Sequence, residues 1–466
     1  MIPPRASKLE AATLLHLALL GVFCTWAFGG GAPWAVTALC LLGSLAPALT
    51  VATLWKKQPS ERGRFRPLLW LLPLVGFNAL VLLGTHHPSL RVLPVEGIQV
   101  FAPVADLPPG PSSARPDLAL RALWLFDAIV LSSFNLFVAV RRRRTLRTLL
   151  FILTANALAL AVFGSIQKFV QAPGLFFGEV ASPNPTFFAS FIYHNHWGAY
   201  VVLMLAVCLG LLFSIEPWKG HRDFWHSPAL AAVVAVFFLA VTIPLSGSRS
   251  CTALAVVLLA AALIHSLRRL TRHRRAQGKS AAAPTVWLGL TVTIAATLIF
   301  ILARESIDTR VADTQAQFAH MQSIGGLGAR SQLYGDTWRM AADRPWFGWG
   351  LGAYGTVFTF YNTQHAIDNL PQFYQHAHSD WLQLFAETGL IGLLLFLRLL
   401  WLPLPSLRDL RTSSPTPRYL LLGCGLILLY AGIEFPFGNP AVTLLFWTCF
   451  FCAVRWMQLD RRATAA

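Results

Sequence analysis

The chain has 466 residues, 55% of them hydrophobic and only 12% charged, with a mean hydropathy of +0.57. Its apolar runs repeatedly reach the roughly 20 residues that cross a bilayer, which excludes a soluble globular protein and makes the lipid bilayer its first partner. The formal charge of +17 would suggest nucleic acid in a soluble chain, but here the basic residues cluster in short segments between apolar runs, so the charge reads as membrane topology and no nucleic-acid partner is expected.

The first apolar run, residues 11–28, follows Arg5 and Lys8 as a signal peptide would. No small-x-small cleavage pattern follows and another run begins at once, so it reads as a retained first helix. Twelve spans are expected in all, at 11–28, 32–54, 67–84, 119–140, 146–168, 195–214, 228–245, 249–267, 284–303, 380–402, 418–434 and 439–456. The expectation is an all-α, polytopic transmembrane bundle. It divides into 1–168 (five spans), 169–303 (four spans with an arginine-bearing outer turn), 304–379 (a long outer loop) and 380–466 (three spans). The seven cysteines lie in or beside the apolar runs, without metal-type spacing, and are expected to pack.

With a cytoplasmic N-terminus, the basic segments from Lys56 to Arg66, Arg141 to Arg147, Lys219 to Arg222, Arg268 to Lys279, Arg398 to Arg418 and the tail from Arg455 all fall inside. Both termini are then cytoplasmic. The outer face carries two long loops, 85–118 and 304–379. The first is proline-rich and reads as irregular cover. The second opens with a polar region from Asp308 to Gln322 and a flexible Gly325-Gly326-Leu327-Gly328. A helix-compatible run from Ala329 to Asp343 follows, begins near Arg330 and is stopped by Pro345.

Outer-face arginines are scarce on this topology. Arg249, in Ser246-Gly247-Ser248-Arg249-Ser250, is either a snorkelling interfacial residue or an anion ligand flanked by hydroxyl and backbone donors. His194 with His196, and His376 with His378, form two His-x-His pairs, but no acidic or cysteine set completes a metal shell, and no metal is expected. Asp380 followed three residues later by Gln383 resembles a capping box, which sets His378 just before a helix N-terminus, where the dipole favours a neutral, proton-accepting imidazole and a nearby anion. Asp380 could cap this helix or orient His378. Glu387 lies two turns into the span, where an ionisable group usually faces a cavity or a partner, and Glu434 is expected at an interfacial helix end.

The order His378-Ser379, nine residues, Gly389-x-x-Gly392, preceded by a long outer loop, resembles the bacterial O-antigen ligases and polymerases. Ser-Gly-Ser-Arg-Ser at an outer turn, Arg330 with Trp338, and Arg344-Pro345-Trp346-Phe347-Gly348-Trp349-Gly350 follow the same order, so the resemblance covers about 190 to 440. One departure is visible in Tyr193-His194-Asn195-His196-Trp197-Gly198, where relatives often carry an arginine at the position of His194.

The resemblance implies a GT-C-like membrane glycosyltransferase on the periplasmic face of the inner membrane, without cofactor. It would move a glycan from undecaprenyl diphosphate to a sugar hydroxyl of a glycolipid or glycan. It assigns His378 as base and Arg249 and Arg330 as diphosphate ligands, with Asn195, Ser248, Asp380 and His194 at the substrate. A polymerase of the same superfamily and a lipid-glycan flippase are the alternatives. Sparse charge within the spans and polar groups gathered at one face favour chemistry over transport.

Overall fold

A computed structural model describes residues 7–56, 65–105, 109–215, 228–323, 329–364, 373–404 and 407–465. The glycine stretch 325–328 and the basic segment 219–222 lie outside the described residues. The helices are α1 (Lys8–Trp26), α2 (Pro33–Gly43), α3 (Ala46–Trp55), α4 (Leu72–Thr85), α5 (Pro116–Ala139), α6 (Arg143–Phe169), α7 (His194–Ser214), α8 (Pro228–Ser246), α9 (Arg249–Ala276), α10 (Ala282–Ser323), α11 (Ala329–Ala342), α12 (Tyr354–Val357), α13 (Asp380–Trp401), α14 (Leu407–Thr412), α15 (Pro415–Tyr430) and α16 (Pro440–Ala465). Among the described residues, ten helical segments are long and apolar enough to cross a membrane. The other two expected spans are shorter: Leu230–Ser246 of α8, and α15 with 16 residues.

Two expectations about the loops are corrected. The loop after α4 is not irregular: β1 (Leu90–Val95) and β2 (Ile98–Pro103) form an antiparallel hairpin turning at Glu96 and Gly97, both with positive φ. Val92, Val95, Val100 and Phe101 supply the β-favouring side chains, while the prolines, including Pro94 inside β1, mask the pattern. The second long loop also begins later than expected, because α10 continues through the polar stretch to Ser323. That stretch is rich in Ala and Gln and contains no Gly or Pro, so the helix has no reason to stop at the end of its apolar part.

The innermost helices are α7 and α16, whose span segments are almost wholly buried. Small residues let α15 lie close on α7: a Cβ on Gly423 would stand 2.6 Å from that of Ala206, and one on Gly210 would stand 3.1 Å from the Thr416 backbone. Aromatic side chains of α16, including Phe446, Trp447, Phe450 and Phe451, interlock along one ridge. At the basic end, Glu10 accepts from Arg141 N (3.3 Å) and Thr145 Oγ1 (2.6 Å), and Arg455 donates to Val140 O (2.6 Å), tying α1 and α16 to the α5–α6 turn.

Helix α13 breaks at Gly389, whose φ of 64° and ψ of −171° suit glycine alone. The segment before α12 replaces the lost helical bonds. Leu390 N donates to Pro345 O (2.7 Å), Ile391 N to Trp346 O (3.2 Å), and, in the other direction, Trp349 N to Ala386 O (3.0 Å) and Gly350 N to Glu387 O (2.8 Å). The backbones approach so closely that a Cβ on Gly389 would stand 2.3 Å from Trp346 C, and one on Gly348 2.3 Å from Glu387 C. The Trp-Phe-Gly-Trp-Gly stretch is thus a splint across a broken helix. Gly389 thus admits this loop, not a neighbouring helix.

Gly389→Ala should therefore lower stability by about 1–3 kcal/mol from backbone strain alone, with steric displacement of the splint adding to it. Gly425→Ala, on α15 with nothing within 4 Å, should be neutral or slightly stabilising. Thermal unfolding of both variants in detergent compares them directly, and equal melting temperatures would contradict the splint.

Candidate functional site

The site begins at the turn into α13. Ser379 is the N-cap, its hydroxyl accepting from Leu382 N at 3.3 Å, and the Gln383 side chain reaches back to Ala377 N at 3.3 Å. This corrects the expected cap at Asp380, which instead occupies the first helical position. Its carboxylate accepts from Phe437 N (2.8 Å) and its N–H donates to Glu434 O (3.2 Å). Asp380 neither caps α13 nor bonds His378; it pins the loop after α15 against the helix start. His378, between the buried Ala377 and Ser379, has a φ of 51°, a left-handed conformation uncommon for a non-glycine residue and found preferentially at functional sites.

Pinning that loop delivers Glu434, which is only 2% exposed, to the imidazole. Its Oε1 accepts from Arg330 at 2.5 Å and from Asn195 Nδ2 at 3.3 Å; its Oε2 lies 3.4 Å from His378 Nδ1, within ion-pair range but long for a hydrogen bond. Arg330 also donates to Ile433 O (3.2 Å), and the Tyr334 hydroxyl donates to His378 O (2.9 Å), so the first turns of α11 grip both the loop and the histidine backbone. Asn195 continues the chain of bonds: Nδ2 also reaches Tyr193 Oη (2.7 Å), and Oδ1 accepts from Ser248 Oγ (2.6 Å). Ser248 is the N-cap residue of α9, yet its side chain makes no capping bond there, and the exposed Arg249 follows it.

Burial works against a charge on Glu434, but His378 and Arg330 outweigh it, so this carboxyl is held below the usual carboxylate range. For Arg330 burial is likewise outweighed, by Glu434, and its pKa is raised. Burial and the same carboxylate push the Tyr193 hydroxyl up, and burial pushes His376 down.

Phe435, next to Glu434, is the post on which the rings gather. His376 stacks on it at 4.5 Å and Tyr193 at 5.5 Å, while His378 and His196 meet it edge-on at 4.8 and 5.1 Å. His196 also contacts Phe435 O at 3.2 Å. The structure therefore brings His378, Arg330, Asn195 and Ser248 into one network. His194 sits at its margin: its Nδ1 is 2.7 Å from Thr186 Oγ1, and its ring packs edge-on against Tyr193. Among the described residues, no three His, Cys, Asp or Glu side chains are grouped as a metal site.

A cavity of about 250 Å³ adjoins this network between α4, α5, α13 and α16. Phe77, Leu125, Phe126, Ile129, Phe396 and Trp447 give it apolar walls, and His376, Asp380, Gln383 and Glu387 give it polar ones. Glu387 meets the expectation of a cavity-facing carboxylate and is also a fastener, accepting from Gly352 N (2.9 Å), Tyr354 N (3.2 Å) and Gln383 Nε2 (3.2 Å).

Sequence reasoning missed Glu434, Tyr334 and Phe435 as parts of the site. A signal for Glu434 existed, since an acidic residue stood at an outer span end on the face where the scarce arginines were expected.

No curated protein matches the chain. Residues 233–397, which include Ser248, Arg249, Arg330, His378 and Asp380 but neither Asn195 nor Glu434, match the model of a family described as O-antigen ligase. Over this segment the chain is similar to the O-antigen ligase family.

Proposed function

We propose that the protein is an inverting, metal-independent glycosyltransferase on the periplasmic face of the bacterial inner membrane, moving a glycan from undecaprenyl diphosphate to a sugar hydroxyl. The family consists of membrane glycosyltransferase-like ligases and polymerases. The observation that carries the reading is the convergence of His378 and Arg330 on Glu434, joined through Asn195 and Ser248 to the start of α9, beside an apolar cavity suited to a lipid chain.

In the proposed reaction, the acceptor hydroxyl oxygen attacks the anomeric carbon from the side opposite the diphosphate. The carbon–oxygen bond to phosphate breaks, its electron pair stays on undecaprenyl diphosphate, and the hydroxyl proton passes to His378. With Nδ1 turned to Glu434, Nε2 is the accepting nitrogen. Arg330 and Arg249 balance the charge gathering on the leaving diphosphate. Because Ser248 bonds Asn195 instead of capping α9, the first amides of that helix stand uncapped by it beside Arg249 and add their positive dipole end to the anion site. Asn195 and His194 line the approach for sugar or phosphate oxygens.

Two measurements test this reading. In proteoliposomes loaded with an undecaprenyl-diphosphate-linked oligosaccharide and a glycolipid acceptor, with EDTA present, donor should be consumed as a glycosidic product forms. His378→Ala and Arg330→Ala should each slow transfer by ~10²–10⁴-fold at unchanged membrane insertion. A lengthened lipid-linked glycan as the product would select the polymerase, and movement across the bilayer without product would select the flippase. Separately, undecaprenyl diphosphate should bind the protein in nanodiscs, and Arg249→Ala or Arg330→Ala should weaken that binding at least ~10-fold. Undiminished binding in both variants would remove the diphosphate role.

A further inference from the structure

We infer that Glu434 is the positioning residue of this site: one buried carboxylate fixes the orientation of the His378 imidazole and the placement of Arg330 at the same time. The inference rests on the proposed role of His378 as base.

The geometry divides the work between the two oxygens. Oε1 takes the short bond from Arg330 and the longer one from Asn195, while Oε2, among the described residues, has the His378 ring within reach, at 3.4 Å. The histidine is presented to it by main-chain constraints: the left-handed φ of His378, the Tyr334 hydroxyl on its carbonyl, and the Asp380 N–H donating to the carbonyl of Glu434 itself. The Phe435 edge bounds the ring on another side. A proton on Nδ1 directed at Oε2 leaves the lone pair on Nε2, the tautomer a base needs. When Nε2 takes the acceptor's proton, the imidazolium lies against a carboxylate that its own surroundings keep ionised. A carboxylate paired with an imidazole in this way orients it and stabilises the imidazolium without touching substrate.

Other groups face the pair. From α11 come Arg330 and Tyr334. From α7 and the residue ahead of it come His196 and Tyr193, and from the turn before α13 comes His376. Cys251 on α9, Tyr430 at the end of α15 and Asp380 complete the titratable surroundings. Among these only Glu434 places an acidic oxygen on the His378 ring.

The test reads the imidazole directly. Diethyl pyrocarbonate modifies neutral imidazole, and the His378 side chain is 27% exposed, so its modification rate, followed by peptide mass spectrometry on the full chain in nanodiscs from pH 5 to 9, gives its titration midpoint. Removing the negative charge in Glu434→Gln should move that midpoint down by about one pH unit, since an adjacent opposite charge stabilises the charged form by roughly that much or more. Glu434→Asp, which retains the charge one methylene further back, should show a smaller shift in the same direction. With the undecaprenyl-diphosphate-linked oligosaccharide, Glu434→Gln should lose at least ~10-fold in kcat. An unchanged midpoint in both variants overturns the inference, even if transfer is lost. A shifted midpoint together with full transfer in His378→Ala would instead overturn the base assignment and leave the Glu434–His378 pairing standing.

Discussion

A carboxylate cannot be buried in an apolar bundle without partners, and Glu434 is where this protein meets that constraint. The loop between α15 and α16 hides it almost completely, and its partners come from α11, from the turn into α13 and from the start of α7. Each of these groups would be unremarkable alone. Together they form a cluster in which removing Arg330 takes the bonded cation from a buried carboxylate, so the loop, the turn into α13 and α11 are tied together.

The first half of α13 is the frame on which the unit closes. Asp380, Gln383 and Glu387 share one helix face at the spacing of three and four residues, and all three bond to backbone outside their own helix or to one another. Asp380 holds the loop that follows α15, Gln383 holds the turn that precedes α13, and Glu387 holds the segment entering α12. The break at Gly389 belongs to the same scheme. By giving up helical bonds there, α13 opens carbonyls and amides to the splint at 345–350, and the splint in turn fixes the loop residues that Glu387 grips. The spacing from His378 to Gly389 and Gly392 thus has a mechanical meaning, because it measures the helical stretch between the histidine turn and the point where the loop is bolted on.

Hydropathy and capping rules read the helices of this frame well, because bilayer length and helix starts are local properties. Arg330 at the start of a helix and His378 before α13 were both legible in that way. The cap itself was misassigned because Ser379 and Asp380 are both competent N-caps, and only the need to satisfy the Phe437 amide, far along the chain, decides between them. The hairpin after α4 was hidden by its prolines. Glu434 was read only as an interfacial residue, and for a physical reason: its meaning lies in Arg330 and Asn195, 104 and 239 positions away, and no periodicity within its own segment reports them.

The two arginines of the proposed anion site are held differently, and the difference suits a site that must release what it binds. Arg330 is neutralised on one side by Glu434, yet its side chain remains 53% exposed, so a phosphate can approach the guanidinium without breaking the ion pair. The carboxylate reduces the net positive charge seen by the anion while fixing the fork that receives it. Arg249 stands on the surface at the first turn of α9, where its charge adds to the helix dipole and is more strongly screened by water. On the proposed reaction, undecaprenyl diphosphate leaves more negative than it arrived, and a clamp of two fully buried, unbalanced cations would retain it. On that reading, Arg330 with its carboxylate and Arg249 at the exposed start of α9 stabilise the developing charge and still let the product go.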